Sequence, residues 1–315
     1  MGYIAVLIGF AVLVTLCMLN VHIIIASFAA AVSVTVLAGL PFTESLVTVY
    51  FTRFGTITGT MLPMFLFGAI LAKIYSGSGA AATIADTICN ALFKHAHTEK
   101  SKYTLGFLSV IIASAILCYG GINAAVALIA IYPIAIGIFD RAGIPKRFVM
   151  GAICGGAFTF ALSGPGSPQP TNVVAMAIGT GSTCGFVAGI IGCLTEIGVM
   201  LLVFTKMCTK ATANGEIFIP GPKDTFRQEG QGGPQFLLTM IPIIVLLIVF
   251  NVLKVNISLS ILLSVILSVI LFFPKLGKAQ VMAAINEGAV TALVPMAAIG
   301  GVNGFAAVVQ SVPEY

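Results

Sequence analysis

The chain has 315 residues, 59% of them hydrophobic and only 8% charged, with a mean hydropathy of +1.11 and a formal net charge of +5 at pH 7. Soluble domains carry about 25% charged residues, so a water-soluble fold is excluded. The apolar residues come in runs of about 20, the length of one helical crossing, which predicts an all-α integral membrane protein in a lipid bilayer rather than a barrel of strands.

The first run, 2–19, has neither a basic leader nor a small-residue cleavage site and reads as a retained span, with no targeting segment before it. Further spans are expected at 22–39 and 55–75. Within 76–103, "SGAAATIADTICNALFKH" reads as a helix lying along the membrane interface with Lys94 toward phosphate; a buried connecting helix is the alternative. The stretch 104–139 carries Gly120-Gly121 at its middle, leaving arms of 16–18 residues. Such arms suit a re-entrant hairpin, although two short tilted spans would also accommodate them. Spans follow at 148–179, which is interrupted, and at 182–206. A polar, Gly- and Pro-containing linker occupies 207–235, and three more spans are expected at 236–253, 257–273 and 289–311.

With this parity, 13 of the 15 Lys and Arg residues fall on one membrane face and only Arg53 and Lys254 on the other. Basic residues concentrate in cytoplasmic loops, so the N-terminus is expected outside a plasma membrane and the 207–235 linker in the cytoplasm. The seven cysteines stand singly, with no CxxC pair and no histidine at ligand spacing, and read as small apolar fillers of helix interfaces. No metal, cofactor or nucleic acid partner is expected.

The two parts of the chain resemble each other. "NVHIIIAS" at 20–27 matches "KVNISLSI" at 254–261 in polarity, Pro41 matches Pro274, Gly55 matches Gly288, and "MLPMFLFG" at 61–68 matches "LVPMAAIG" at 293–300. The first unit, 1–206, holds five crossings, an odd number. Its copy therefore enters the membrane inverted, the plan of secondary transporters. In this register Tyr315 corresponds to Thr83, so 236–315 is a partial second repeat. A complete copy would add about 123 residues, to roughly 438, on the same repeat arithmetic.

The interrupted span contains "ALSGPGSPQPTN", residues 161–172. Each proline lacks an amide hydrogen and disfavours helix before it, so Pro165, Pro168 and Pro170 together forbid helix over about 163–171. A simple kink needs one proline, not three. Unwound backbone at membrane depth needs a protein or water-filled surrounding, so this stretch is expected to line a cavity. The arm 148–162 carries the break about 22 Å from its cytoplasmic start. An anion could meet the free amides of the following half-helix near Thr171 and Asn172, with Ser163, Ser167 and Gln169 adding polar groups.

Together, "LCYGGINAAVALIAIYPIAIGIFDRAGIPKRF" and "GAFTFALSGPGSPQPTN" resemble the gluconate permease family of proton-coupled organic-acid symporters, within the ion transporter superfamily. The resemblance implies two inverted repeats, each with a re-entrant hairpin and a discontinuous helix meeting at the substrate. It further implies that Gly120, Gly121 and Asn123 at the hairpin tip face Ser163, Gly164, Pro165, Gly166, Ser167 and Asn172. Gly164 stands where a bulkier apolar residue is expected, which reshapes the pocket. The implied partners are a small organic anion and H+, with Na+ as an alternative ion and homo-oligomerisation left open.

Glu196 lies ten residues inside Lys206, about 15 Å deep on a helix, and is the candidate for a protonatable coupling group; a neutral carboxyl bonded to a neighbour is the alternative. No HExxH, GxGD or GxSG motif is present, so an intramembrane protease is excluded. A cation channel or antiporter and a non-transporting permease fragment remain as rivals. Antiporters commonly bury paired acids at such a break, and this break has none.

Overall fold

A computed structural model describes residues 2–93, 98–120, 124–159, 164–165, 180, 184–221 and 233–313. Every regular element among the described residues is helical: α1 (Gly2–Met18), α2 (Ile23–Leu37), a π-helical segment (Glu44–Tyr50), α3 (Phe51–Gly77), α4 (Ala80–Phe93), α5 (Glu99–Tyr119), α6 (Ala124–Ala142), a 3₁₀ turn (Lys146–Phe148), α7 (Val149–Phe158), α8 (Phe186–Ala213), α9 (Phe236–Asn251) and α10 (Ile257–Gln310). Among the described residues, four stretches are long and apolar enough to cross a membrane: Glu44–Gly77, α5, α8 and α10. The helices α1, α2 and α9 are shorter and apolar. The chain is a multi-pass membrane protein.

Three elements differ from the expected spans for identifiable reasons. The helix α5 begins at Glu99 rather than 104, because the Thr98 side chain accepts the Ser101 amide at 3.2 Å and caps a polar first turn. The arms of the 104–139 stretch are consequently 21 and 19 residues long. Beyond Lys206, α8 continues to Ala213 through a solvated turn that exposes Lys210. In α10 the two expected spans are joined across Gly277, whose φ of 65° and ψ of 169° separate two helices that abut there; that positive φ suits glycine.

The chain forms two compact units, Met1–Leu66 with Ala289–Tyr315, and Phe67–Gly288. In the first, α1 packs on α2, and Val6, Ala30, Val34, Leu46, Tyr50, Phe305 and Val309 belong to one apolar cluster. The Tyr50 hydroxyl meets the Ser27 hydroxyl at 3.1 Å, so neither polar group is stranded in this core. His22 caps α2, its ring nitrogen accepting the Ile24 amide at 3.4 Å.

In the second unit α5 is the hub, in contact with α4, α6, α7 and α8. Its Phe107 is fully buried, with ring centroids 5.3 Å from Phe139, 5.8 Å from Phe148 and 5.3 Å from Phe204. The helix α4 packs on α5, α6 and α9 and buries Ala80, Ala81 and Ile84, which favours the connecting-helix alternative for this segment. Gly156 of α7 lies so close to α5 that a Cβ would run into the Ile111 carbonyl. Glycine here sets how closely α7 approaches α5.

Candidate functional site

The site is built where α7 ends. Beyond Phe158 the Thr159 hydroxyl turns back to the Gly155 carbonyl, and at Gly164 and Pro165 the chain is a buried bend and turn, not helix. A span that leaves the helical path inside the membrane frees carbonyls, and each must find a donor from a neighbour. Among the described residues, two such donors are seen. The Cys193 thiol of α8 donates to the Thr159 carbonyl at 3.5 Å, a weak bond, and the Tyr119 hydroxyl of α5 donates to the Pro165 carbonyl at 2.7 Å.

Tyr119 is the last residue of α5 and precedes Gly120, which caps that helix by donating its amide to the Ile116 carbonyl at 2.9 Å. Gly120 also lets α9 approach: a Cβ there would stand 2.9 Å from the Ile243 side chain. One hydrogen bond therefore joins the end of the first arm to the broken span across 46 residues of sequence.

Two cavities meet at Tyr119. One, of about 400 Å³, lies among α5, α8 and α9 and is apolar, with Ile112, Ala115, Leu194, Met240 and Leu247 in its wall. The other, of about 250 Å³, is lined by Tyr119, Pro165, Phe186, Leu247, Ile248, Asn251 and Val252. It is the pocket that the break itself borders, and Asn251 brings an amide side chain to it.

Of the expected site residues, Gly120, Gly164 and Pro165 lie among the described residues, and the Tyr119 bond joins the end of α5 to the turn at Pro165. Gly121, Asn123, Ser163, Gly166, Ser167, Gln169, Thr171 and Asn172 lie outside them. Glu196 stands on α8 three residues beyond Cys193, and its residue is exposed. Tyr119, Cys193 and Asn251 escaped the sequence reading. The first carries a local signal, a phenol beside a glycine pair, and the third is the polar end of the otherwise apolar "PIIVLLIVFN". Cys193 has none beyond its lone position.

Residues 1–303 match the model of the GntP family permeases. Among curated proteins, an uncharacterized transporter, YxjC, from Bacillus subtilis (strain 168) is 32% identical over 179 residues, which cover 56% of this chain and 35% of the relative. The chain thus matches about a third of that relative's length.

Proposed function

The chain belongs to the GntP permease family, a family of permeases rather than enzymes, and from that premise we propose that it serves secondary active transport of a small organic anion. The reading is proton-coupled symport of a gluconate-like sugar acid. The observation that carries it is the Tyr119 to Pro165 bond, which holds the non-helical turn at Pro165 against the end of α5.

In this proposal 104–139 is a re-entrant hairpin whose tip, Gly120, Gly121 and Asn123, shares the substrate with Ser163, Gly164, Pro165, Gly166, Ser167, Gln169, Thr171 and Asn172. The amides that begin the following half-helix receive the carboxylate, and hydroxyl and amide side chains read the sugar hydroxyls. Glu196 is the coupling group in this reading: its carboxyl stands on α8 ten residues inside Lys206, and an ionisable side chain within a span is by default a functional candidate.

The inverted repeat is part of the same proposal. In the first unit Gly304 packs on Tyr50 and Gly300 on Thr58 and Phe54. In the second, Gly288 packs on Ile70, and Lys73 pairs with Glu287 at 2.9 Å. Within each unit α3 and α10 run antiparallel, which supports opposite membrane orientations for the matched segments around Pro63 and Pro295.

Counterflow of labelled gluconate and a panel of hydroxy acids in proteoliposomes tests the function. Saturable exchange of at least one acid, enhanced by an inward proton gradient, is expected; exchange of cations alone would favour the antiporter. Orientation is tested in intact cells with an impermeant thiol reagent, which should label a cysteine at Thr43 and miss cysteines at Glu99 and Asn214, three exposed positions.

A further inference from the structure

We propose that Tyr119 is a positioning residue of the transport site: a hydroxyl latch that fastens the unwound backbone at Pro165 to the end of α5. The proposal rests on the reading of 163–172 as the substrate site and adds to it the element that holds that site in place.

Three observations carry it. The bond is short, 2.7 Å, and joins two segments 46 residues apart. Its acceptor is a backbone carbonyl in a buried turn, which loses this donor when the phenol oxygen is removed. The phenol also stands at the junction of the 400 Å³ and 250 Å³ cavities, so its ring faces free volume on the apolar side. Release of the hydroxyl therefore requires a rotation into existing space rather than repacking of α5, α8 and α9, and a bond that can open without repacking is a latch rather than a rivet.

The contrast with Cys193 sharpens the assignment. That thiol reaches the Thr159 carbonyl at 3.5 Å from a fully buried position on α8. It anchors the helical arm before the break. Tyr119 holds the break itself.

Tyr119→Phe removes the oxygen and keeps the ring. The reporter is Ser167→Cys in the full chain with the native cysteines replaced by serine, and the readout is the rate of its alkylation by N-ethylmaleimide, which needs no substrate. Loss of one net hydrogen bond should raise the open population, and with it the labelling rate, roughly fivefold, with the thermal unfolding midpoint nearly unchanged. Tyr103→Phe, on the same helix, should leave the rate unchanged. An unaltered rate in Tyr119→Phe, or an equal rise in Tyr103→Phe, would overturn the latch. Counterflow measured in parallel reports on the transport reading separately, so failure of one does not hide failure of the other.

Discussion

Two kinds of proline interruption occur in this molecule. Pro63 and Pro242 stand alone inside α3 and α9, and both helices run through them. At Pro165, with Pro168 and Pro170 close behind, the backbone is a turn. A single proline removes one hydrogen bond and crowds one carbonyl. Near Pro242, Tyr75 donates to the Thr239 carbonyl at 2.7 Å and Ser264 to the Pro242 carbonyl at 3.0 Å. Three prolines in six residues remove three amide donors from one short stretch. Hydroxyl donors flank both interruptions, and proline density distinguishes helices that continue, α3 and α9, from α7, which stops at Phe158 ahead of the three prolines.

The largest effect expected of this contrast lies at the break. Asn172→Ala and Asn123→Ala should each lower organic-anion uptake at least about tenfold, some 1.4 kcal/mol of substrate recognition, while membrane insertion persists. Normal uptake in both variants would remove the break from the site and leave it a kink like the others.

A smaller effect is expected in the packing that presents the break. Gly156→Val drives a side chain into the Ile111 carbonyl, and overpacking of this kind costs about 1–3 kcal/mol. The thermal midpoint in detergent should fall accordingly. Gly55→Ala, where a Cβ meets nothing within 4 Å, should leave it in place. Equal behaviour of the two variants would show that α7 does not depend on close approach to α5.

The smallest effect belongs to the single proline of α9. Pro242→Ala leaves both flanking bonds available and should change stability by about 1 kcal/mol or less, within the ordinary range of single substitutions. A collapse of uptake in this variant would mean that α9, too, is interrupted for function.

How much of this was legible in the sequence follows from which interactions are local. Spans α1 and α2 were visible as apolar runs, and the break as proline chemistry within 12 residues. The start of α5 was misjudged because polar Glu99, Lys100 and Lys102 look like loop, whereas the Thr98 cap makes them helix. The separation of two helices at Gly277 is marked in the sequence by Pro274, Lys275 and Lys278, whereas the start of the second helix directly after Gly277, well before 289, is not. Tyr119 and Cys193 pair with carbonyls 46 and 34 residues away, and no spacing rule reaches that far. The depth of Glu196 could be counted from Lys206, but its facing could not, because α8 is apolar on every side around it.

The central claim is that the proline-broken span binds the transported anion, and substrate protection tests it most directly. With Ser167→Cys as the sole thiol, alkylation by N-ethylmaleimide should be slowed in a saturable way by the acid found to exchange in counterflow, and not by the corresponding neutral polyol. Alkylation that proceeds at the same rate with saturating substrate, in protein that still exchanges that acid, would place the binding site elsewhere and contradict the account.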